Sequence, residues 1–193
     1  MATPLDLNDP VAVLLAAARA LRVAGIDAAL YGGLALAAYG EPRETKDADL
    51  AVLGVSGGDG LRALQAAGVD AALAFDRVVF GGNVISRVTL LGDAAAPGLN
   101  VVDRVEPRSH RYARAALARG LDGELRGEPV RVLAPEDFVL FKVLSTRERD
   151  LEDAATVLRT LAPQLDAQLI DEEAAALARE LPDHDVAARL ARA

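Results

Sequence analysis

Apolar positions along the chain fall into short runs divided by glycine, proline and polar turns, and the runs alternate in type. Asn8-Asp9-Pro10 supplies a capping side chain and a first-turn proline, so a helix is predicted from Val11 to about Val23, stopping near Gly25. Ala28 to Tyr31 predicts a strand, and Gly32-Gly33 turns into a helix over Leu34–Tyr39 that ends at Gly40. A second strand follows over Ala48–Leu53. Gly57 to Gly60 forms a loop that opens a helix over Leu61–Ala67, closed by Gly68. Arg77–Phe80, Val84–Leu91 and Leu99–Val105 carry strand character, the first two joined by a Gly81-Gly82-Asn83 hairpin turn. Arg108–Arg119 predicts a helix, and Leu121–Arg126 with Val130–Leu133 a hairpin around Gly127. From Ala134-Pro135-Glu136-Asp137 onward the texture is helical: about Pro135–Ser145, Glu148–Leu161, Pro163–Glu180 and Val186–Arg192.

This order predicts an α+β fold, a mixed sheet flanked by helices. It divides into an α/β unit over residues 1–133 and a helical unit over 134–193 packed on it. Composition narrows the chemistry. Apolar residues make up 52% and aromatics only 4%, so the core must be built from Ala, Val and Leu. There is no cysteine, which excludes disulfides, thiolate metal sites and a cysteine nucleophile. His110 and His184 are the only histidines, too few for a His-rich zinc site. No run is long enough to span a bilayer, and Met1 to Asp6 lacks the basic start and apolar block of a signal peptide, so a cytoplasmic protein with no membrane partner is expected. The net charge is −8, and the acidity is concentrated towards the end: residues 135–193 hold 13 acidic and 7 basic side chains. Non-specific electrostatic binding to nucleic acid is not expected of the chain as a whole.

Candidate chemistry gathers between residues 32 and 103. Asp47 and Asp49 lead into the second strand, and side chains two apart on a strand point the same way. Two same-facing carboxylates near a glycine turn suit the holding of Mg²⁺ against a nucleotide phosphate. Glycines at Gly32 and Gly33 let backbone approach a phosphate, with a helix N-terminus behind them; a plain tight turn is the alternative. Asp103 stands in an otherwise apolar strand, where a charge is costly unless paired or metal-bound. Beside Asp47 and Asp49 it completes a set of three carboxylates able to hold two Mg²⁺ ions; otherwise it pairs with Arg104 or Arg77. Arg43 either reaches a phosphate or pairs with Asp49. Lys142 is one of two lysines among 21 basic residues, a phosphate ligand or a snorkelling surface side chain. Asp150 and Asp153 share a helix face, near the site or simply favoured by the helix dipole. The basic residues Arg104, Arg108, Arg111, Arg114 and Arg119 read as a surface that steers a polyanion or as a solvated face that neutralises the acidic tail.

Gly32-Gly33, a thirteen-residue spacer, Asp47-Ala48-Asp49 and the later Asp103 resemble the signature of the DNA polymerase β-like nucleotidyltransferase superfamily. The pattern Arg43-x-Thr45-x-Asp47-x-Asp49, with Leu133 to Lys142 and Arg149 to Ala154, is similar to the AbiEii/AbiGii toxin-type nucleotidyltransferases and their relatives, over roughly Leu30 to Leu161. The resemblance implies an Mg²⁺-dependent enzyme that moves an NMP from an NTP to a hydroxyl on an RNA end, a protein or a small molecule, as one half of a toxin–antitoxin pair. It implies that Gly32, Gly33, Arg43, Thr45 and Lys142 meet the nucleotide. Asp47, Asp49 and Asp103 would hold two metal ions, with Asp103 also taking the acceptor's proton. Many active members carry serine where this chain has Gly33. That departure motivates a second reading, a catalytically degenerate fold used as a nucleotide-binding or interaction module. A metal-dependent phosphohydrolase using the same carboxylates is a third.

Overall fold

The computed structural model describes residues 5–39, 42–92 and 97–193. The helix end expected at Gly40 and the residues Met1 to Pro4 lie outside them. The element order is α1 (Pro10–Val23), β1 (Ala28–Tyr31), α2 (Gly32–Ala38), β2 (Ala48–Val52), α3 (Gly57–Ala66), β3 (Ala71–Phe80), β4 (Asn83–Leu91), β5 (Leu99–Pro107), α4 (His110–Arg119), β6 (Leu121–Leu125), β7 (Glu128–Val132), α5 (Pro135–Val143), α6 (Glu148–Leu161), α7 (Ala167–Glu180) and α8 (Val186–Arg192). The fold is α+β, as the sequence predicts, and among the described residues no helix is long and apolar enough to cross a membrane.

All seven strands form one mixed sheet in the order β3-β4-β5-β2-β1-β7-β6. β2 lies antiparallel to β1 and parallel to β5, and the hairpin β6–β7 joins through a parallel contact between β7 and β1. The register matters for function: Asp49 stands opposite Tyr31 on one side and Asp103 on the other, and Asp103 stands opposite Arg87 on β4.

Local chemistry accounts for the boundaries. Asp9 caps α1 by accepting from the backbone N–H groups of Val11 and Ala12. α3 begins at Gly57, four residues earlier than expected. Ser56 and Asp59 form a capping box there, and the glycines lie inside the helix because Gly60 makes room for the Arg104 guanidinium. β3 begins six residues earlier than expected, because pairing with β4 overrides the helical propensity of Ala71 to Ala74.

The core runs continuously from the sheet into the last four helices: Leu50, Val88 and Leu90 share one hydrophobic cluster with Phe138, Leu140, Val157 and Leu177. α5 is enclosed by α6, α7 and α8, and Phe138 to Leu144 are buried at every position. Few as they are, the aromatics are not spread thinly. Tyr31, Tyr39 and Tyr112 all pack on Phe138 or Phe141 of α5, with ring centroids 5.2–5.9 Å apart. This cluster lies directly beneath the site.

Candidate functional site

A polar cleft of about 550 Å³ opens where β1, β2 and β5 present Tyr31, Asp49 and Asp103, with Asp47 just ahead of β2. The extended segment ahead of β2 lines one wall with Arg43, Glu44, Thr45 and Lys46, and α5 and the start of α6 line another with Lys142, Arg147, Arg149 and Asp150. A larger groove of about 760 Å³ lies at the other end of β1, walled by Ile26, Leu53, Ala63 and Leu117. Asp27 and Asp59 are among its lining residues, but Asp47, Asp49 and Asp103 all belong to the smaller cleft.

The glycine pair is shaped around the carboxylates. Gly32 has φ +70°, and a Cβ there would fall inside the Asp49 carboxylate. Both facts demand glycine. Gly32→Ala is expected to cost about 1–2 kcal/mol for the left-handed backbone and to displace Asp49 as well. A lower melting temperature checks the first effect and weaker divalent-cation binding the second. Gly33 is excluded from bearing a side chain by Thr45, whose Cβ and Oγ1 would stand 2.8 and 2.9 Å from an added Cβ. The hydroxyl beside the turn is thus the one on Thr45. α2 has no side-chain cap at Tyr31, which leaves its first-turn amides without a side-chain acceptor.

The three carboxylates have different surroundings. Asp47 is partly exposed and has the Arg87 guanidinium 4.0 Å away. Asp49 has no hydrogen-bond donor among the described residues. Desolvation, then the negative charge of Asp103 and that of Asp47, push its carboxyl up to about 7 against the pull of Lys142 and Arg147. Asp103 is 4% exposed and is gripped at both oxygens by Arg87, at 2.7 and 2.6 Å. The sequence offered Arg104 or Arg77 as its partner. Arg104 instead donates to the carbonyls of Ser56 and Gly57, and Arg77 pairs with Glu106 at 3.1 Å. Arg87 is the residue that sequence reasoning passed over. Its signal is a lone arginine in the apolar strand Val84–Leu91, the counterpart of the lone aspartate in the neighbouring strand.

Two other expectations change. Arg43 does not pair with Asp49; it pairs with both oxygens of Asp153 at 3.1 and 3.0 Å. Lys142 is not a snorkelling surface residue. It is 3% exposed, donates to Asp150 at 2.6 Å, stands 2.9 Å from Asp153, and has the Tyr31 ring 4.9 Å from its ammonium. Burial raises the Asp150 carboxyl, but Lys142, the Ser145 hydroxyl at 2.5 Å and Arg147 together bring it below its ordinary value. Asp150 and Asp153 therefore orient the lysine at the cleft wall. The basic residues after Asp103 are largely consumed by the C-terminal helices: Arg108 pairs with Asp183, Arg111 with Glu173 and Glu180, and Arg119 with Asp137 and Glu173. They neutralise the acidic tail.

The cleft thus combines five cationic side chains with a carboxylate group open to it. Such a site accepts a polyanion and a hard cation together. Asp49, a carboxyl with no donor among the described residues and raised by desolvation and then by like charges, fits an Mg²⁺ ligand, with Asp47 beside it. Among the described residues no group of three acidic or histidine side chains is arranged to enclose a metal ion. Arg87 holds the third carboxylate.

No family model matches the chain, and no curated protein matches it. Solved structures do match in fold. An antigenic nucleotidyltransferase-like protein from Paracoccidioides brasiliensis aligns over 98% of this chain and 95% of its own, with a TM-score of 0.53 at 19% identity. The antibiotic-resistance factor ANT(2'')-Ia aligns in its solution structure over 90% of this chain and 97% of its own, with a TM-score of 0.54 at 16% identity. Its crystal structure in complex with adenylyl-2''-tobramycin aligns over 88% and 97%, with a TM-score of 0.50 at 15% identity. The chain has a nucleotidyltransferase-like fold.

Proposed function

We propose that the protein is a nucleotidyltransferase that moves an NMP from an NTP to a hydroxyl acceptor: the acceptor oxygen bonds to the α-phosphorus, the α–β phosphoanhydride bond breaks and pyrophosphate leaves. The observation that carries this reading is the register of β1, β2 and β5. It gathers Asp49, Asp103 and the Gly32 turn at one cleft floor, with a basic wall opposite. Phosphoryl chemistry asks mainly for positioning and charge neutralisation, and the cleft offers both.

In this reading the triphosphate lies against the Gly32-Gly33 turn and the Thr45 hydroxyl, with Lys46, Arg147 and Arg149 facing its charge. Asp47 and Asp49 hold Mg²⁺, which when bound neutralises charge on the phosphates. Asp103 receives the acceptor's proton. Lys142 is held in place by Asp150 and Asp153 and lowers the cost of an ionised Asp49. Arg43, tied to Asp153, fixes the segment that carries Thr45 against α6.

The acceptor classes are an RNA end, a protein side chain and a small polyol. The AbiEii-like pattern favours the first two, with an antitoxin partner. The adenylylated aminoglycoside seen with the fold neighbour ANT(2'')-Ia favours the third. Gly33 does not argue for a degenerate module, because Thr45 fills the space beside it and supplies a hydroxyl.

The test is incubation with each α-labelled NTP, Mg²⁺ and three acceptor pools (total RNA, lysate protein, an aminoglycoside panel), with Asp47→Ala alongside. Label is expected on one pool and to be absent with Asp47→Ala, while that variant keeps the wild-type circular dichroism. Equal labelling by both proteins overturns the proposal, and nucleotide binding with no transfer to any pool favours the binding module.

A further inference from the structure

Arg87 is built into the site more firmly than a surface counter-ion would be. It lies on β4 directly opposite Asp103 on β5 and opposite Phe75 on β3. Both Asp103 oxygens accept from it, at 2.7 and 2.6 Å, in the bidentate geometry that a planar guanidinium makes and an ammonium does not. The Phe75 ring supports it from the far side, 5.6 Å from the guanidinium carbon. Register shifts in β3 on both sides of Phe75 bring that ring to Arg87. The same guanidinium nitrogen that meets Asp103 stands 4.0 Å from an Asp47 oxygen, so one cation spans two of the three carboxylates. Arg87 does not contact Asp49, whose carboxyl has no hydrogen-bond donor among the described residues.

Resting on the nucleotidyltransferase reading above, we propose that Arg87 is a resident cation in place of a second divalent ion. The site then takes one metal, through Asp47 and Asp49, and Asp103 serves through its pairing with Arg87. Charge supports the assignment. Three carboxylates with one guanidinium leave a net charge of −2, which a single Mg²⁺ balances. A second ion at Asp103 would have to displace two charge-assisted hydrogen bonds from a carboxylate that is 4% exposed. Arg87 is a positioning residue in this scheme, acting through Asp103, and the number of metal ions bound reports its role independently of turnover.

The experiment is Mn²⁺ titration of the full chain, with bound ions counted by electron paramagnetic resonance. The proteins are wild type, Arg87→Ala, Arg87→Lys and the double variant Arg87→Ala/Asp103→Ala. One ion per chain is expected for wild type, two for Arg87→Ala, and one again for the double variant. Arg87→Lys, which keeps a positive charge, is expected to stay at one. Should Arg87→Ala fail to fold, Arg87→Met keeps the stem packed on Phe75 and gives the same reading. Two ions in wild type, or one ion in a folded Arg87→Ala or Arg87→Met, overturns the inference while leaving the metal site standing. No ion in any protein overturns the metal reading on which it rests.

Discussion

On the proposed nucleotidyltransferase reading, Asp49→Asn is expected to abolish transfer and, in the same protein, to raise the melting temperature at pH 8. The loss of activity follows from removing a cation ligand at the cleft floor and amounts to about 10³-fold or more. The gain in stability follows from the carboxyl's surroundings. Its pKa is about 7 in the folded chain, against an ordinary value of 3.8, because desolvation and the charges of Asp103 and Asp47 penalise its ionised form. Folded protein therefore holds a proton that unfolded protein has released between about pH 4 and 7. The stability this group contributes is complete below about pH 4 and is lost as the pH rises through about 7. Three pKa units at 1.36 kcal/mol each set a ceiling of about 4 kcal/mol. In a chain of this size each kcal/mol moves the melting temperature by about 2–4 °C. Thermal melts in chelator are the measurement. The variant is expected to melt about 5–15 °C above wild type at pH 8 and level with it near pH 4, and Mg²⁺ is expected to narrow the gap at pH 8 by binding only wild type. Equal melting temperatures at pH 8 would show that the folded site does not penalise an ionised Asp49.

Lys142→Met has the opposite effect on stability. The lysine is buried between Asp150 and Asp153, and removing it leaves two carboxylates with only Ser145, Arg147 and Arg43 as partners. Breaking a buried ion pair from one side costs about 3–5 kcal/mol, more than the pair itself is worth. Denaturant unfolding is expected to show that loss. The triple variant Lys142→Met/Asp150→Asn/Asp153→Asn recovers most of it, because the uncompensated charges are gone. A single variant as stable as wild type would mean that the lysine leaves no charge unpaired when removed.

The sequence carried more of the elements than of the partnerships. α6 and α8 fall where their patterns place them, and the strand leading from Asp49 is legible because apolar residues follow a same-facing acid pair. That Asp103 stands beside the pair was legible too, as a charge in an apolar strand that had to be either metal-bound or paired; it is paired, to an arginine the sequence did not single out. What stayed hidden was who neutralises whom. Arg43 and Asp153 are 110 positions apart, and Arg87 and Asp103 meet only through the antiparallel register of β4 and β5. Local pattern gives the face of a strand and says nothing of which strand lies beside it. With only seven aromatics the sequence predicts a core built from Ala, Val and Leu, yet five of the seven cluster at α5, because packing concentrates large side chains where layers meet.

The parallel contact between β2 and β5 also has a consequence for biosynthesis. Their facing aspartates are 54 residues apart in a chain made from the N-terminus, and the intervening α3, β3 and β4 must be synthesised before the two strands can meet. Such long-range closure is slow compared with helix formation. Even then the acids face one another without Lys142 and Arg147, which leave the ribosome about 40 residues later. A nascent chain at that stage carries the acid pair with Arg43 and Lys46 but lacks Lys142, Arg147 and Arg149, so on the proposed reading competence to bind a triphosphate is expected only with α5 and α6. Ribosome-stalled chains ending before residue 142 are the material in which that order can be watched.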